Sequence, residues 1–248
     1  MIDLNKLMDF IRSNDYTTTR ELCAQFGISE STARRALDKL VIMGKVTRLH
    51  GGAMPASVHG LTTEFQMRNA MNKEQKISIA RTAAQHIQPY STVILMGGTT
   101  VCEMCAFIDH MNITVVTNSI LVLNGLKYSR NVRLILLGGL YNYQEEEVGG
   151  LLMGGALGDI HADQLFTCAS GFDEIYGIST TNASIELYHS CIEASTMTCV
   201  LADSSKYMKG GAGITARLDQ VQYIFTDNRL DERAKAALEC RGVRVVIA

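Results

Sequence analysis

A chain of 248 residues, 47% hydrophobic and 19% charged, is long enough for one large domain or for a small domain plus a medium one, and needs no staples for its core. The net charge of −2, the 21 glycines and the two prolines exclude disordered, collagen-like and low-complexity classes. No apolar run approaches the ~18–20 residues that a membrane helix requires. Val132–Leu137 is itself interrupted by Arg133, and the opening Met1–Lys6 carries an early acid with no apolar segment behind it, unlike a secretory leader.

Charge is unevenly spread. Residues 1–55 hold eight basic and six acidic side chains, which leaves −4 for the remainder. The basic excess sharpens between Ile28 and Pro55, where five basic residues face two acidic ones. Leu4, Leu7, Met8 and Ile11 recur at helical spacing and predict an amphipathic first helix. Thr18 and Glu21 have the spacing of a capping box, opening a second helix that turns Leu22, Cys23 and Phe26 inward and ends at Gly27. Ser29 caps a third helix whose buried face is Ala33, Leu37, Leu40 and Val41 and which Gly44 stops. Two short helices around a glycine turn are the helix-turn-helix pattern. Its exposed face would be Ser31, Thr32, Arg34, Arg35 and Asp38, with hydroxyls for phosphates and guanidinium groups for guanine edges. Lys45–Ala53 alternates and turns on Gly51-Gly52, as a small β wing bringing cations towards phosphates would. The candidate DNA-binding set is Thr18, Ser29, Ser31, Thr32, Arg34, Arg35, Lys39, Arg48 and His50. The competing reading is a three-helix interaction module with a solvated basic face.

Residues 56–72 read as a linker between a module at 1–55 and an α/β domain at 73–248; the stretch 54–72 as a whole shows no firm period. Lys73–Gln88 reads as a helix with Ile77, Ala80, Ala84 and Ile87 on one side. Apolar runs then alternate with helical stretches: Thr92–Met96, Ile113–Thr117, Val132–Leu137, Gln164–Ala169, Met197–Ala202, Val221–Thr226 and Val243–Ile247. That alternation predicts a mostly parallel sheet covered on both faces.

Ligands of such sheets bind beyond the carboxyl ends of the strands. Gly97-Gly98-Thr99-Thr100 follows the first run and leads into a helix over Val101–Ile108, offering close backbone approach, hydroxyls and free N–H groups to a phosphate. It is neither a Walker loop nor G-x-G-x-x-G. Asn118-Ser119, Gly138-Gly139, Ala169–Asp173 and Asp203–Lys206 end later runs. Phosphate donors at Gly98–Thr100, a cation at Lys206 and a carboxylate at Asp173 for hydroxyls would suit a phosphorylated sugar. The candidate effector set is Gly97, Gly98, Thr99, Thr100, Asn118, Ser119, Gly139, Asp173, Glu186 and Lys206. Tyr141–Glu147 reads as a solvated loop, with closure over the pocket as the alternative, and Lys209–Gly213 as a mobile loop.

Seven cysteines, an odd and scattered number, suit a reducing cytoplasm. Cys102-Glu103-Met104-Cys105 lacks the second pair of a metal site and reads as two thiols on a packed helix. Six scattered histidines have no ligand spacing, so neither metal nor cofactor is expected.

Over nearly its whole length the chain resembles the DeoR family of bacterial sugar-catabolism repressors. The resemblance rests on Ser29–Leu40, His50–Ala53, Gly98–Thr100, Val115–Ser119, Leu137–Gly139, Ala169–Gly171 with Asp173, and Ala202–Lys206. It implies a winged helix-turn-helix joined to a Rossmann-like sensor akin to ribose-5-phosphate isomerase. The expected partners are double-stranded operator DNA and a phosphorylated sugar or sugar-acid effector, in a cytoplasmic homodimer or homotetramer with no membrane contact. Three departures stand out. Ala36 replaces the usual acid after the paired arginines, with altered operator contacts or helix polarity as the expected consequence. Met96-Gly97 replaces the usual Asp-Ser, and Tyr188-His189 stands where a Lys-Arg pair is common. Glu186 would correspond to the family's pocket glutamate. The alternative is a sugar-phosphate isomerase with Asp173, Glu186 and Lys206 as its acid–base and cationic groups. Against it, Tyr176 stands where such enzymes keep a lysine at the start of a glycine-rich turn, and the N-terminal module would serve no purpose.

Overall fold

The computed structural model describes residues 3–14, 16–43, 45–49, 51–56, 63–150, 157–181 and 185–248. They divide into two compact units, Met1–Met71 and Asn72–Ala248.

In the first unit, α1 (Leu4–Ser13) is capped by Asp3, whose carboxylate accepts from the Asn5 N–H at 2.9 Å. It buries Leu7, Met8 and Ile11. After β1 (Thr17–Thr18), α2 (Thr19–Phe26) opens on the expected capping box and closes on Gly27 at φ 61°. Then α3 (Glu30–Ile42) starts at Ser29, whose hydroxyl accepts from the Thr32 N–H at 3.3 Å. β2 (Val46–Leu49) and β3 (Gly52–Pro55) form the wing, and β1 extends it on the β3 side. Leu7, Ile11, Leu22, Leu37 and Leu40 meet in one core. Two details differ from the sequence reading. Ala36, not Val41, completes the buried face of α3: Ala36 is 3% exposed and Val41 38%. Also, the segment read as an aperiodic linker contains α4 (Thr63–Ala70), anchored by the buried Phe65. Its eight residues are too few for a helical period to show. Gly44 and His50 lie outside the described residues.

The second unit begins with α5 (Lys73–Ala84), which ends before the expected Gln88 and buries Lys76, Ile79, Ala80, Ala83 and Ala84; Ile77 is only half-buried. The seven apolar runs become β4 (Thr92–Leu95), β5 (Ile113–Thr117), β6 (Val132–Leu136), β9 (Gln164–Cys168), β12 (Thr198–Leu201), β14 (Tyr223–Thr226) and β15 (Arg244–Ile247). They form one parallel sheet in the order β15-β14-β12-β9-β4-β5-β6. Alternate residues bury on opposite faces: Val93 and Leu95 in one cluster with Ile79 and Ala83, Ile94 and Met96 in another with Leu187 and Cys191 of α9 (Ile185–Glu193). A strand buried on both sides is near-continuously apolar, as β4, β9, β12 and β14 are; the edge strands β6 and β15 expose Arg133 and Arg244. α10 (Glu232–Glu239) packs Ala234 and Leu238 with Val200, Ile224 and Val245.

Three features depart from the expected plan. The helix expected over Val101–Ile108 is two short pieces, α6 (Thr99–Cys102) and α7 (Cys105–Ile108). Tyr141–Glu147 is exposed over residues 141–144, as a solvated loop would be, but is not a plain loop. It lies in a hairpin of β7 (Leu140–Asn142) and β8 (Glu147–Gly149), with Glu146 and Val148 buried. Lys209–Gly213 is not loose either. It packs on a small antiparallel sheet of β10 (Gly171–Asp173), β11 (Gly177–Thr180) and β13 (Gly213–Ala216). The Gly211 N–H donates to the Ser179 hydroxyl at 2.9 Å, and any side chain at Gly211 would collide with Thr180. No helix among the described residues is long and apolar enough to cross a membrane.

Candidate functional site

The first unit presents an exposed polar face at the start of α3. The hydroxyls of Ser29, Ser31 and Thr32 are linked, Ser29 lying 3.0 Å from Ser31 and 2.9 Å from Thr32. One turn on, Arg34 pairs with Glu30 at 2.9 Å, and the Arg35 Nε–H donates to the Ser31 carbonyl at 3.3 Å. Both guanidinium groups are therefore held along the helix near its amino end. Such an exposed pair adds little to stability and leaves N–H donors for a ligand. Lys39 is exposed about one turn further along. From the wing, Arg48 reaches to 4.0 Å from Asp38 of α3, so β2 and α3 share a charged edge. Thr18 belongs elsewhere: its hydroxyl donates to Glu21 at 2.8 Å and accepts from the Glu21 N–H at 3.1 Å. His50 lies outside the described residues. Ala36 faces the core, so its departure from the family pattern acts on helix packing, not on this face.

The second unit gathers polar segments at the carboxyl edge of the parallel sheet. Chain order runs one way from β4 through β5 to β6, and the other way from β9 through β12 to β14 and β15. The loops after β4 and β9 therefore diverge, and a ligand crevice opens at such a switch point. Gly98, at φ 126°, lies so close to Cys168 that a Cβ would stand 2.7 Å from its sulfur. Thr99 and Thr100 follow in α6, both buried, and the Thr100 hydroxyl has no hydrogen-bond partner among the described residues. Asn118 ties the loops together: its Oδ1 accepts from the Gly97 N–H at 3.1 Å, and its Nδ2 donates to Glu147 Oε2 at 3.3 Å and to the Val148 carbonyl at 3.2 Å. Ser119 caps α8 (Ile120–Leu126), accepting from the Val122 N–H. Lys206 Nζ donates to the Ala169 carbonyl at 2.6 Å. Asp203 accepts from Asn72 at 3.0 Å and from the Ser205 hydroxyl at 2.5 Å, which holds the Lys206 turn in place.

The remaining candidates are not gathered there. Asp173 lies on the small sheet, its Oδ1 accepting from the N–H groups of Ile175 and Tyr176 at 2.8 and 2.6 Å. That carboxylate closes a turn. Glu186 is exposed in the first turn of α9, while the next two residues, Leu187 and Tyr188, are buried. Gly139 is exposed and backs onto the Gly149 carbonyl at the base of the hairpin, too close for a side chain.

Three crevice residues lie outside the candidate effector set. Lys76 is 3% exposed. Burial, followed by the charge of Lys206, lowers its pKa to about 8, against the opposing pull of Asp203. Its signal was present: positions 76, 79, 80 and 83 form the apolar stripe of α5, and a lysine on such a stripe is out of place. Tyr188 is buried, hydrogen-bonded to Thr180, and feels Glu147 and Cys168; burial pushes its phenol well up. Glu147 reads in the sequence only as the end of Tyr141–Glu147, a solvated loop with closure over the pocket as the alternative, since a strand of three residues has no readable period.

Comparison with known proteins agrees with this division. Residues 4–57 match the DeoR-like helix-turn-helix domain, and residues 71–228 the DeoR C-terminal sensor domain. The transcriptional regulator YulB of Bacillus subtilis is 30% identical, covering 97% of this chain and 93% of its own. The glycerol-3-phosphate regulon repressor of Escherichia coli is 30% identical over 90% and 89%, and the L-fucose operon activator of Haemophilus influenzae 29% over 97% and 97%. Ribose 5-phosphate isomerase A of Methanocaldococcus jannaschii shows a partial structural likeness: TM-score 0.41, 14% identity, 56% of each chain. With both family models matched in order along nearly the whole chain, the protein belongs to the DeoR family of helix-turn-helix transcriptional regulators.

Proposed function

We propose that the chain represses a carbohydrate-utilisation operon in the cytoplasm and is released from operator DNA by a phosphorylated sugar or a related sugar acid. Subunits pair as a homodimer or homotetramer, so that two α3 helices read spaced half-sites in adjacent major grooves. The observation that carries the effector half is the convergence of Lys76, Lys206 and the Gly98–Thr100 turn at the switch point of the sheet. One buried and one half-buried cation, enclosed hydroxyls and close backbone approach are what a small anion requires. Release follows only if the ligand binds the DNA-competent and DNA-incompetent arrangements unequally. The names of the relatives support carbohydrate control, and they include an activator as well as repressors. A non-enzymatic role is supported by Asp173 and Glu186, which an isomerase would need near Lys206: the first closes a turn and the second is exposed.

The test is to select duplexes from genomic DNA with the full chain, then titrate phosphorylated sugars against the best duplex. The expected result is salt-sensitive, sequence-selective binding that a subset of phosphate esters reverses. Indifference to every duplex at low ionic strength contradicts the proposal, as does catalytic turnover of ribose 5-phosphate by the pure protein.

A further inference from the structure

The two sides of the crevice carry opposite charge, and the negative side is contributed by the hairpin. Lys76 and Lys206 are close enough to repel one another, and Lys76 also feels Cys168. Contacts link the two sides: Glu147 lies over Gly97, the next residue Gly98 stands against Cys168, and Lys206 donates to the carbonyl of the adjoining Ala169 at 2.6 Å. Tyr188 and Cys102 each feel both Cys168 and Glu147. Glu147 is held in place by Asn118 and by the hairpin backbone: the Val148 N–H donates to the Asn118 carbonyl at 2.8 Å, and the Ile120 N–H to the Glu146 carbonyl at 2.9 Å. The carboxylate lies over Gly97, where a Cβ would overlap it, yet Gly97 is not among the glycines with positive φ. The missing side chain at position 97 is thus the space that Glu147 fills. The enclosed hydroxyl of Thr100, without a partner among the described residues, adds a further polar group in the α6 turn.

We propose that Glu147 is the specificity-determining residue of the effector site: its carboxylate accepts hydrogen bonds from the hydroxyls of a small polyol or sugar whose single anionic group is held by Lys76 and Lys206. This rests on the anion-site reading above and narrows it. An ionised carboxylate only accepts, so it favours hydroxyl donors and repels a second anion. The ligand class is a monophosphorylated polyol or sugar, and a bisphosphate is rejected.

The experiment is calorimetric titration of the full chain with inorganic phosphate and with matched sugar monophosphates and bisphosphates. Wild type is expected to prefer at least one monophosphate to both inorganic phosphate and its bisphosphate by about tenfold or more, the scale of a hydrogen bond to a charged group. Glu147→Ala should abolish that preference and leave the affinity for inorganic phosphate unchanged. Gly97→Ala should do the same, because its Cβ pushes the carboxylate aside without straining its own backbone. Glu147→Gln, which keeps the shape and removes the charge, should admit the bisphosphate. A wild-type ranking retained in Glu147→Ala overturns the assignment, and so does equal loss of all probes in both alanine variants, which would mark Glu147 as structural. Absence of saturable binding of any phosphate probe to wild type overturns the anion site itself, and this assignment with it.

Discussion

The two candidate surfaces are built in opposite ways. The face of α3 is local: Ser29, Ser31, Thr32, Arg34 and Arg35 lie within seven consecutive positions, and one helix orders them all. The crevice is assembled from six segments far apart in sequence, carrying Lys76, Gly98, Asn118, Glu147, Cys168 and Lys206. A local surface is set by caps and helical spacing, so it tolerates change elsewhere. A distributed one depends on strand register and loop packing, so distant residues tune it. The contrast suits a regulator in which one surface reads a fixed DNA geometry and the other adapts to different metabolites.

The sharpest way to break this contrast is to unfold one side alone. Leu37 is fully buried in the first unit's core, and Leu37→Ala should cost about 2–5 kcal/mol there. DNA binding should be lost while phosphate titration of the same protein stays at the wild-type level. Loss of both would mean that the surfaces share one cooperative fold. A smaller effect is expected from Arg35→Ala, which should cost about 1–3 kcal/mol of base discrimination if the guanidinium bridges a guanine. A competition assay between the selected duplex and a scrambled one reads this, and an unchanged ratio would move Arg35 from base to backbone contact.

The crevice should respond to pH where the helix face does not. Lys76 is charged below its lowered pKa of about 8 and neutral above it. Affinity for inorganic phosphate should therefore fall as pH rises through about 8, and Lys76→Met should be weaker throughout and flatter across that range. A wild-type affinity that is level through this window would remove Lys76 from the anion site. The smallest expected effect is at the cap of α2. Thr18→Ala should lower stability by about 1 kcal/mol, read as a shift in the denaturant midpoint, and leave base preference intact. A change in preference there would restore Thr18 to the DNA-contacting set.

The same contrast explains what was legible in the sequence. Ser29, Ala33, Leu37 and Leu40 announce α3 because cap and core face are separated by whole helical turns. The inner strands of the large sheet show because burial on both faces leaves near-continuous apolar runs, while the edge strands β6 and β15 keep their apolar runs despite exposed Arg133 and Arg244. The hairpin and the small sheet did not show. Their strands are three or four residues long, and the glycines that looked like loop markers, Gly171 and Gly211, are where backbone packs on backbone. Asp173 is attractive as a carboxylate near a strand end, but β9 ends at Cys168, and the chain turns into the second sheet before reaching Asp173. Glu186 rests on the family resemblance alone. Lys76 was readable as a charge on an apolar stripe; Glu147 came into view only with the hairpin that carries it.

The division between a local DNA reader and a distributed anion sensor is tested most directly by one titration. Fluorescence anisotropy of the selected operator duplex is followed with wild type and Lys206→Ala, with and without the releasing phosphate ester. The account predicts the same Kd for DNA in the absence of ester and a release concentration raised about tenfold or more in the variant, since a charged contact to the anion is lost. Parallel weakening of DNA binding and release in Lys206→Ala would contradict it.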